Sequence, residues 1–405
     1  VSRCPRVSIT GAFDRRIVFV VAANFIAVAA RMSLVTFLGI YFVRKAGIDL
    51  ATVGVAFLCE HLLRGAAAPL FGALSDRIGR RSLLIASAAM TAVVLPCFLL
   101  VEGPASLFAW SLALGLTGAV NMPVANALLL DLAPPARRQS TLALNYTSMS
   151  VAYTLGVMPA GYVAEQGYGF LAATAGAGYV LVALLYFFSL RGVLPLERAA
   201  RLMPFDGLRD PSLLRFAAVG FVFPFSMGLV VSATPLFAAD AGVGEGYIGL
   251  VLGANSILVA LLALPVAARI ERSGEMHGPL LYLGAAALIV AAAHLCYAAI
   301  PGVAAALLVG TMVFSFAEVI FSSAVPATVA RLAPPGRRGA YQGTWALVAS
   351  VSMGSALFFS GVLRDAFGWR AAWAIFAAIA LAAGLLLIPS RKKDRGHPSP
   401  GSPES

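Results

Sequence analysis

Four charged side chains stand inside runs that are otherwise apolar: Arg31, Glu60, Arg64 and Glu318. An ionised group at the centre of a bilayer costs at least about 2.5–3.5 kcal/mol, so each of them needs a partner or a task. Glu60 and Arg64 are four residues apart, acid first, which is the favourable order for an ion pair on one helix. At ~1.5 Å of rise per residue, Arg31 and Glu60 both lie about 21 Å from one end of their runs, and Arg64 about 15 Å. The three can therefore meet near a common midplane. Two chemistries suit such a triad: an ion network that holds helices together, or a site that binds a small molecule or couples to protons. Glu318 has no basic residue after it in its own run before Arg331. A carboxylate so placed can take up and release a proton as its access to water alternates. The other reading is a core glutamate that stays protonated or hydrogen-bonded.

The elements that must position these groups are long apolar segments. The 405 residues are 60% hydrophobic and 12% charged, with a mean hydropathy of +0.88. That composition excludes a soluble globular chain and points to a polytopic membrane protein. A bilayer-crossing helix needs about 20 apolar residues. The first half of the chain supplies such runs at Ile17–Val43, Thr52–Leu74, Leu83–Val101, Leu107–Leu130, Thr141–Ala164 and Phe170–Leu190. The second half supplies Phe216–Ala238, Ile248–Ala268, Leu280–Ile300, Val303–Val329, Gly343–Leu363 and Ala371–Ile388. The expected fold is all-α and integral to the membrane, with twelve transmembrane helices. Of the 29 Lys and Arg residues, 23 fall in the tails and loops of one side, against Arg44, Lys45, Arg364 and Arg370 on the other. By the positive-inside rule both termini are cytoplasmic. The net charge of +11 is thereby explained without nucleic acid. The expected divisions are a cytoplasmic N-tail (1–16), a six-helix bundle (17–190), a cytoplasmic linker (191–215), a second bundle (216–388) and a disordered tail (389–405).

An internal repeat supports the two halves. Leu132-Ala133-Pro134-Pro135-Ala136-Arg137-Arg138 recurs as Leu332-Ala333-Pro334-Pro335-Gly336-Arg337-Arg338, and Gly161 and Glu165 align with Gly361 and Asp365. Other residues carry less information. His61 and His294 read as packed or hydrogen-bonded histidines. Asn24, Asn121, Asn126, Asn145, Asn255 and Gln342 suit either a cavity lining or helix-to-helix hydrogen bonds. Trp110, Trp345, Phe223 and Phe225 read as packing or interface anchors. The four scattered cysteines, Cys4, Cys59, Cys97 and Cys296, show no pairing or metal spacing. No nucleotide-binding loop and no nucleophile constellation is visible, so neither an enzyme nor a cofactor is expected.

One short polar stretch carries a resemblance. Gly72-Ala73-Leu74-Ser75-Asp76-Arg77-Ile78-Gly79-Arg80-Arg81 matches every specified position of G-x-L-x-D-R-x-G-R-R. That is the loop signature between the second and third helices of the major facilitator superfamily. Asp76-Arg77-Ile78-Gly79 recurs in weaker form as Glu271-Arg272-Ser273-Gly274. Gly361, Asp365, Gly368, Trp369 and Arg370 also resemble the family's passage from the eleventh to the twelfth helix. Gly156-Val157-Met158-Pro159-Ala160-Gly161 resembles a degenerate form of the exporters' fifth-helix motif.

The resemblance covers essentially the whole chain. It implies two pseudo-symmetric six-helix bundles that rock about a midplane site, each with its own inverted repeat. Within the family the drug–proton antiporters are most similar, through an acidic residue in the tenth helix at the place of Glu318. The resemblance implies proton-coupled efflux of a hydrophobic or cationic small molecule across the inner membrane by a monomer. Proton-coupled uptake of an organic anion is the alternative, because two midplane arginines suit a carboxylate or phosphate. Glu60 and Glu318 would titrate, and Arg31 and Arg64 would tune them or touch substrate. Gly72, Asp76, Arg77, Gly79, Arg80 and Arg81 would form a cytoplasmic gate that clamps the halves together when the carrier faces outward. In one respect the chain departs from the exporters: the arginine that precedes the glycines of their fourth helix is replaced by Ser111.

Overall fold

The computed structural model describes residues 14–134, 137–190, 209–272, 277–334 and 338–387. Most of the expected N-tail and linker, Ser273 and Gly274 of the weaker motif copy, Pro335–Arg337 and Pro135–Ala136 of the repeat, and the C-tail lie outside those residues, as does the side chain of Asp76. Every regular element among the described residues is helical.

The first six helices are α1 (Arg15–Ile40), α2 (Leu50–Ile78), α3 (Arg80–Val94), α4 (Pro104–Leu132), α5 (Arg138–Gln166) and α6 (Tyr168–Ser189). A π-helical turn, Tyr41–Lys45, extends α1, and a 3-10 turn, Pro96–Leu100, follows α3. Side chains set the helix starts where the sequence offers a carboxylate. Asp14 accepts from the Arg16 amide at 2.9 Å, and Asp49 accepts from the Thr52 amide at 2.8 Å, satisfying N–H groups that a helix leaves open. α2 ends and α3 begins at Gly79, whose φ of 92° is a conformation that side-chain-bearing residues avoid.

Three short helices follow, α7 (Pro211–Gly220), α8 (Val222–Gly228) and α9 (Thr234–Asp240), with a π turn at Leu229–Ala233. Together they make one apolar stretch, Pro211–Asp240. The remaining helices are α10 (Glu245–Arg272), α11 (His277–Ala299), α12 (Val303–Leu332) and α13 (Arg338–Leu387). α13 consists of two helical arms joined at Gly368, with φ 79° and ψ 163°.

Ten stretches among the described residues are long and apolar enough to cross a membrane. α5 is not one of them, because Asn145, Tyr146, Thr147, Ser148 and Ser150 dilute its hydropathy. α13 contributes a single continuous stretch, Tyr341–Leu387.

The first six helices meet the rest chiefly along two seams, α2 against α13 and α5 against α10. Near the starts of α2 and α10 the seams close to backbone contact. A Cβ at Gly54 would run into the Phe358 backbone, and one at Gly161 into the Glu245 carbonyl oxygen. No side chain fits there, so only glycine permits these approaches. At the other end of α2 the packing opens: among the described residues nothing lies within 4 Å of a Cβ built on Gly72. The seams thus close at one face and leave a cavity toward the other.

Candidate functional site

Arg31 in α1 and Glu60 in α2 are both buried, 9% and 2% exposed. They form an ion pair with Arg31 Nη2 2.7 Å from Glu60 Oε1. Arg64, one turn further along α2, places Nη1 3.7 Å from the same oxygen. The expected triad is therefore brought together. A fourth side chain joins them, one that its sequence context does not single out: His61 Nδ1 lies 2.6 Å from Glu60 Oε2 and 2.9 Å from the Phe57 carbonyl oxygen. Glu60 is thus held on both carboxylate oxygens, as a buried charge requires.

α4 supplies the room for this network. A Cβ at Gly115 would stand 2.6 Å from the Glu60 carbonyl oxygen, and one at Gly118 would stand 3.1 Å from Arg31 Nη1. These are the two glycines that follow Ser111, which is itself fully buried. The position that exporters fill with arginine is here a small side chain in a closed spot.

Three cavities meet at Arg64. A cavity of about 500 Å³ is lined by Arg31, Arg64 and Tyr179 and reaches Gly72 at the open end of the seam. A second, of about 70 Å³, contacts Arg31, Glu60, His61 and Arg64 and continues to Val231 and Gly354. A third, of about 300 Å³, runs from His61 and Arg64 past Tyr146 to Phe321 and Trp345. Arg64 is the cation that all three spaces share, while Arg31, paired with Glu60 through Nη2, lines the first two. The largest cavity has the size of a small-molecule site and is mostly apolar, with a few convergent polar groups.

Glu318 is not part of the triad. Its Oε2 accepts from Asn255 Nδ2 at 3.1 Å, while Asn255 Oδ1 accepts from the Ser315 hydroxyl at 2.6 Å. No basic side chain pairs with it among the described residues. Tyr146 and Tyr153 of α5 stand within electrostatic reach of its carboxyl.

Of the other polar candidates, four asparagines bond helix to helix. Asn24 Nδ2 donates to Asn145 Oδ1 at 2.9 Å and Asn145 Nδ2 to Asn126 Oδ1 at 3.2 Å. The Tyr186 hydroxyl reaches Asn24 Oδ1 at 2.9 Å and Asn121 Oδ1 at 3.3 Å. Gln342 donates to the Pro326 carbonyl. His294 sits in an aromatic cluster with Tyr297, Trp373 and Phe376. Trp110 Nε1 donates to the Val94 carbonyl, as a packing residue would.

In the loop after α2, Arg80 pairs with Asp131 of α4 at 2.6 Å. Arg81 donates to the Phe187 carbonyl of α6 at 2.9 Å and lies over the Phe187 ring. In this conformation both anchors belong to the first six helices, while Arg77 is exposed. Among the described residues, the polar contacts between the first six helices and the rest lie at the closed face instead. The Tyr168 hydroxyl donates to Glu245 Oε1 at 2.9 Å, and the Gly246 amide donates to Glu165 Oε1 at 2.8 Å. Asp240 pairs with Arg364 at 3.0 Å and with Arg44 at 3.9 Å, and accepts from Trp369 Nε1 at 2.8 Å.

Known proteins agree with this architecture. The sequence profile of the Major Facilitator Superfamily matches residues 20–240 and 216–404. A "Na(+), Li(+), K(+)/H(+) antiporter" from Planococcus maritimus is 24% identical over 348 residues, 75% of this chain and 79% of that protein. "Multidrug resistance protein MdtG" from Salmonella paratyphi A is 25% identical over 233 residues, 56% of this chain and 57% of that one. Among solved structures, nucleoside transporter NupG superposes with a TM-score of 0.75 at 14% identity, covering 93% of this chain and 98% of that one. At that identity the superposition shows the shared fold. The profile spans nearly the whole sequence and the fold agrees with it: the chain belongs to the Major Facilitator Superfamily of membrane transporters.

Proposed function

We propose that this transporter couples the downhill movement of protons to efflux of a hydrophobic or cationic small molecule. It would do so with twelve spans in two six-helix halves, residues 17–190 and 216–388, joined by the 191–215 linker. The twelve are reached by taking the two arms of α13 as separate spans and α5 as a span despite its polar residues. Arginine placement favours cytoplasmic termini. On that orientation the cavity beside Arg31, Arg64 and Tyr179 faces the cytoplasm, and the glycine-packed seams close the outer face. The halves would rock about this site to alternate access. Arg80 and Arg81 would exchange their present neighbours for the opposite half when the inner face closes, and Asp76 and Arg77 would join them there.

The observation that carries the reading is Glu318: a carboxylate within an apolar span, held by an amide and matched by no cation among the described residues. Such a group can trade a proton for a cationic substrate or for a conformational change. The antiporter and multidrug names of the two relatives point the same way. Uptake of an organic anion remains the second reading, favoured by one feature. Arg64 opens on all three cavities while Glu60 is shielded by Arg31 and His61.

Inside-out vesicles separate the two. With an acid-inside gradient, cationic dyes should accumulate and preloaded small carboxylates should stay; gradient-driven expulsion of preloaded carboxylates, without dye accumulation, would install the second reading. Glu318→Gln keeps a partner for Asn255 and removes the titrating proton. It should lower gradient-driven transport at least tenfold, the effect of about 1.4 kcal/mol, and leave downhill exchange in place. Unchanged driven transport would remove Glu318 from the mechanism.

A further inference from the structure

Away from the central cavities, a cleft of about 310 Å³ lies where α7, α11, α12 and α13 converge. Its walls divide by chemistry. Arg215 of α7 and Arg331 in the last turn of α12 line it together with Ser212 and Thr328, and leucines such as Leu280 and Leu386 complete it. Both arginines are exposed, and neither has an ion pair or hydrogen bond among the described residues. Thr328 spends its hydroxyl hydrogen on the Ala324 carbonyl, so the donors left for a ligand are two guanidinium groups and the Ser212 hydroxyl. Asp210 precedes Ser212, but its carboxylate is already engaged by the Ser212 amide and the Tyr341 hydroxyl. The surroundings are apolar and open outward: Leu386 is 75% exposed, Leu385 62% and Leu281 54%. On a membrane helix such exposed leucines face acyl chains.

We propose that this cleft binds the phosphate of an anionic phospholipid headgroup between Arg215 and Arg331, with its acyl chains along the Leu280 and Leu386 side. Guanidinium groups suit phosphate because their paired N–H donors match its oxygens. Basic pockets between transmembrane helices are an established setting for anionic headgroups. A neutral, soluble ligand would use neither the paired cations nor the exposed leucines. The inner leaflet follows from the orientation given under the proposed function; the headgroup chemistry does not depend on it.

The test is native mass spectrometry of the full chain titrated with phosphatidylglycerol or phosphatidylcholine in detergent. The wild-type chain should bind one phosphatidylglycerol well above the level of phosphatidylcholine. Arg215→Ala with Arg331→Ala should weaken that binding by about thirtyfold, the effect of two surface cations. Arg215→Lys with Arg331→Lys should keep most of it and shows that the substituted chain still folds. Equal binding of the two lipids, or unchanged binding in the alanine variant, would overturn the proposal. Millimolar inorganic phosphate serves as the soluble arm. If it displaces the lipid fully, the site is a phosphate site and the lipid assignment fails; if the lipid survives, the acyl contacts are upheld. None of these outcomes depends on transport, so they stand apart from the fate of the proposed function.

Discussion

At the scale of single residues, the charge network around Glu60 is the most demanding feature of the chain. Two cations and a histidine converge on one carboxylate that is 2% exposed. Removing one member of a buried pair strands the other, which typically costs about 3–5 kcal/mol. Replacing both by apolar groups of similar volume is often neutral. Glu60→Ala should therefore lower thermal stability in detergent strongly, and Arg31→Met with Glu60→Leu and Arg64→Met, which leaves neither guanidinium stranded, should recover most of it. Transport in the triple variant then separates the two roles set out for the triad. A stable but inactive protein assigns it to function, and a stable and active one assigns it to packing.

At the scale of elements, helix starts and turns follow from local chemistry. Hydrogen bonds from the Thr52 side chain and amide hold the Asp49 carboxyl below its usual range. A carboxyl lowered in the folded state stabilises above its unfolded pKa, about 3.9, and loses that contribution as pH falls through the folded value. Asp49→Ala should accordingly cost ~1 kcal/mol of stability. Thermal unfolding should show the same gap between about pH 5 and pH 8, closing only below about pH 4. A gap that changes near neutrality would mean that Asp49 does more than cap α2. This level was the most legible in the sequence. Runs of about 20 apolar residues declare a helix wherever they fall, the four-residue spacing declares Glu60 beside Arg64, and equal heights point to Arg31. The seat of Tyr179 against the cavity, the grip of His61 on Glu60 and the facing of Glu318 toward Tyr146 and Tyr153 were not legible. A helix apolar nearly all round does not announce how it is rotated about its axis, and each of those contacts depends on rotation. α5 shows the converse: Asn145, Tyr146, Ser148 and Ser150 make it a weak apolar run, and of these Asn145 bonds to α1 and Tyr146 lines a cavity.

At the scale of the whole molecule, the closed face sets which way the cavity opens. Its contacts are of two kinds. Glycine-permitted backbone approaches such as Gly54 on Phe358 give shape, while Asp240 with Arg44 and Arg364, and Tyr168 with Glu245, give polar latches across the halves and beside them. An exposed ion pair contributes up to about 1 kcal/mol, and a hydrogen bond about 1 kcal/mol. Asp240→Asn with Tyr168→Phe should therefore weaken the closed face by about 1–2 kcal/mol, a shift of roughly 5- to 30-fold between the two facing states. Val231 reports it, because it is 6% exposed and lies in the small cavity between the charge network and this face. In a chain whose native cysteines are replaced by serine, Val231→Cys should react with an externally added, membrane-impermeant maleimide several-fold faster when the latches are removed. If labelling stays at the rate of the chain with its latches intact, the glycine-packed seams hold the face shut by themselves, and the polar contacts only decorate it.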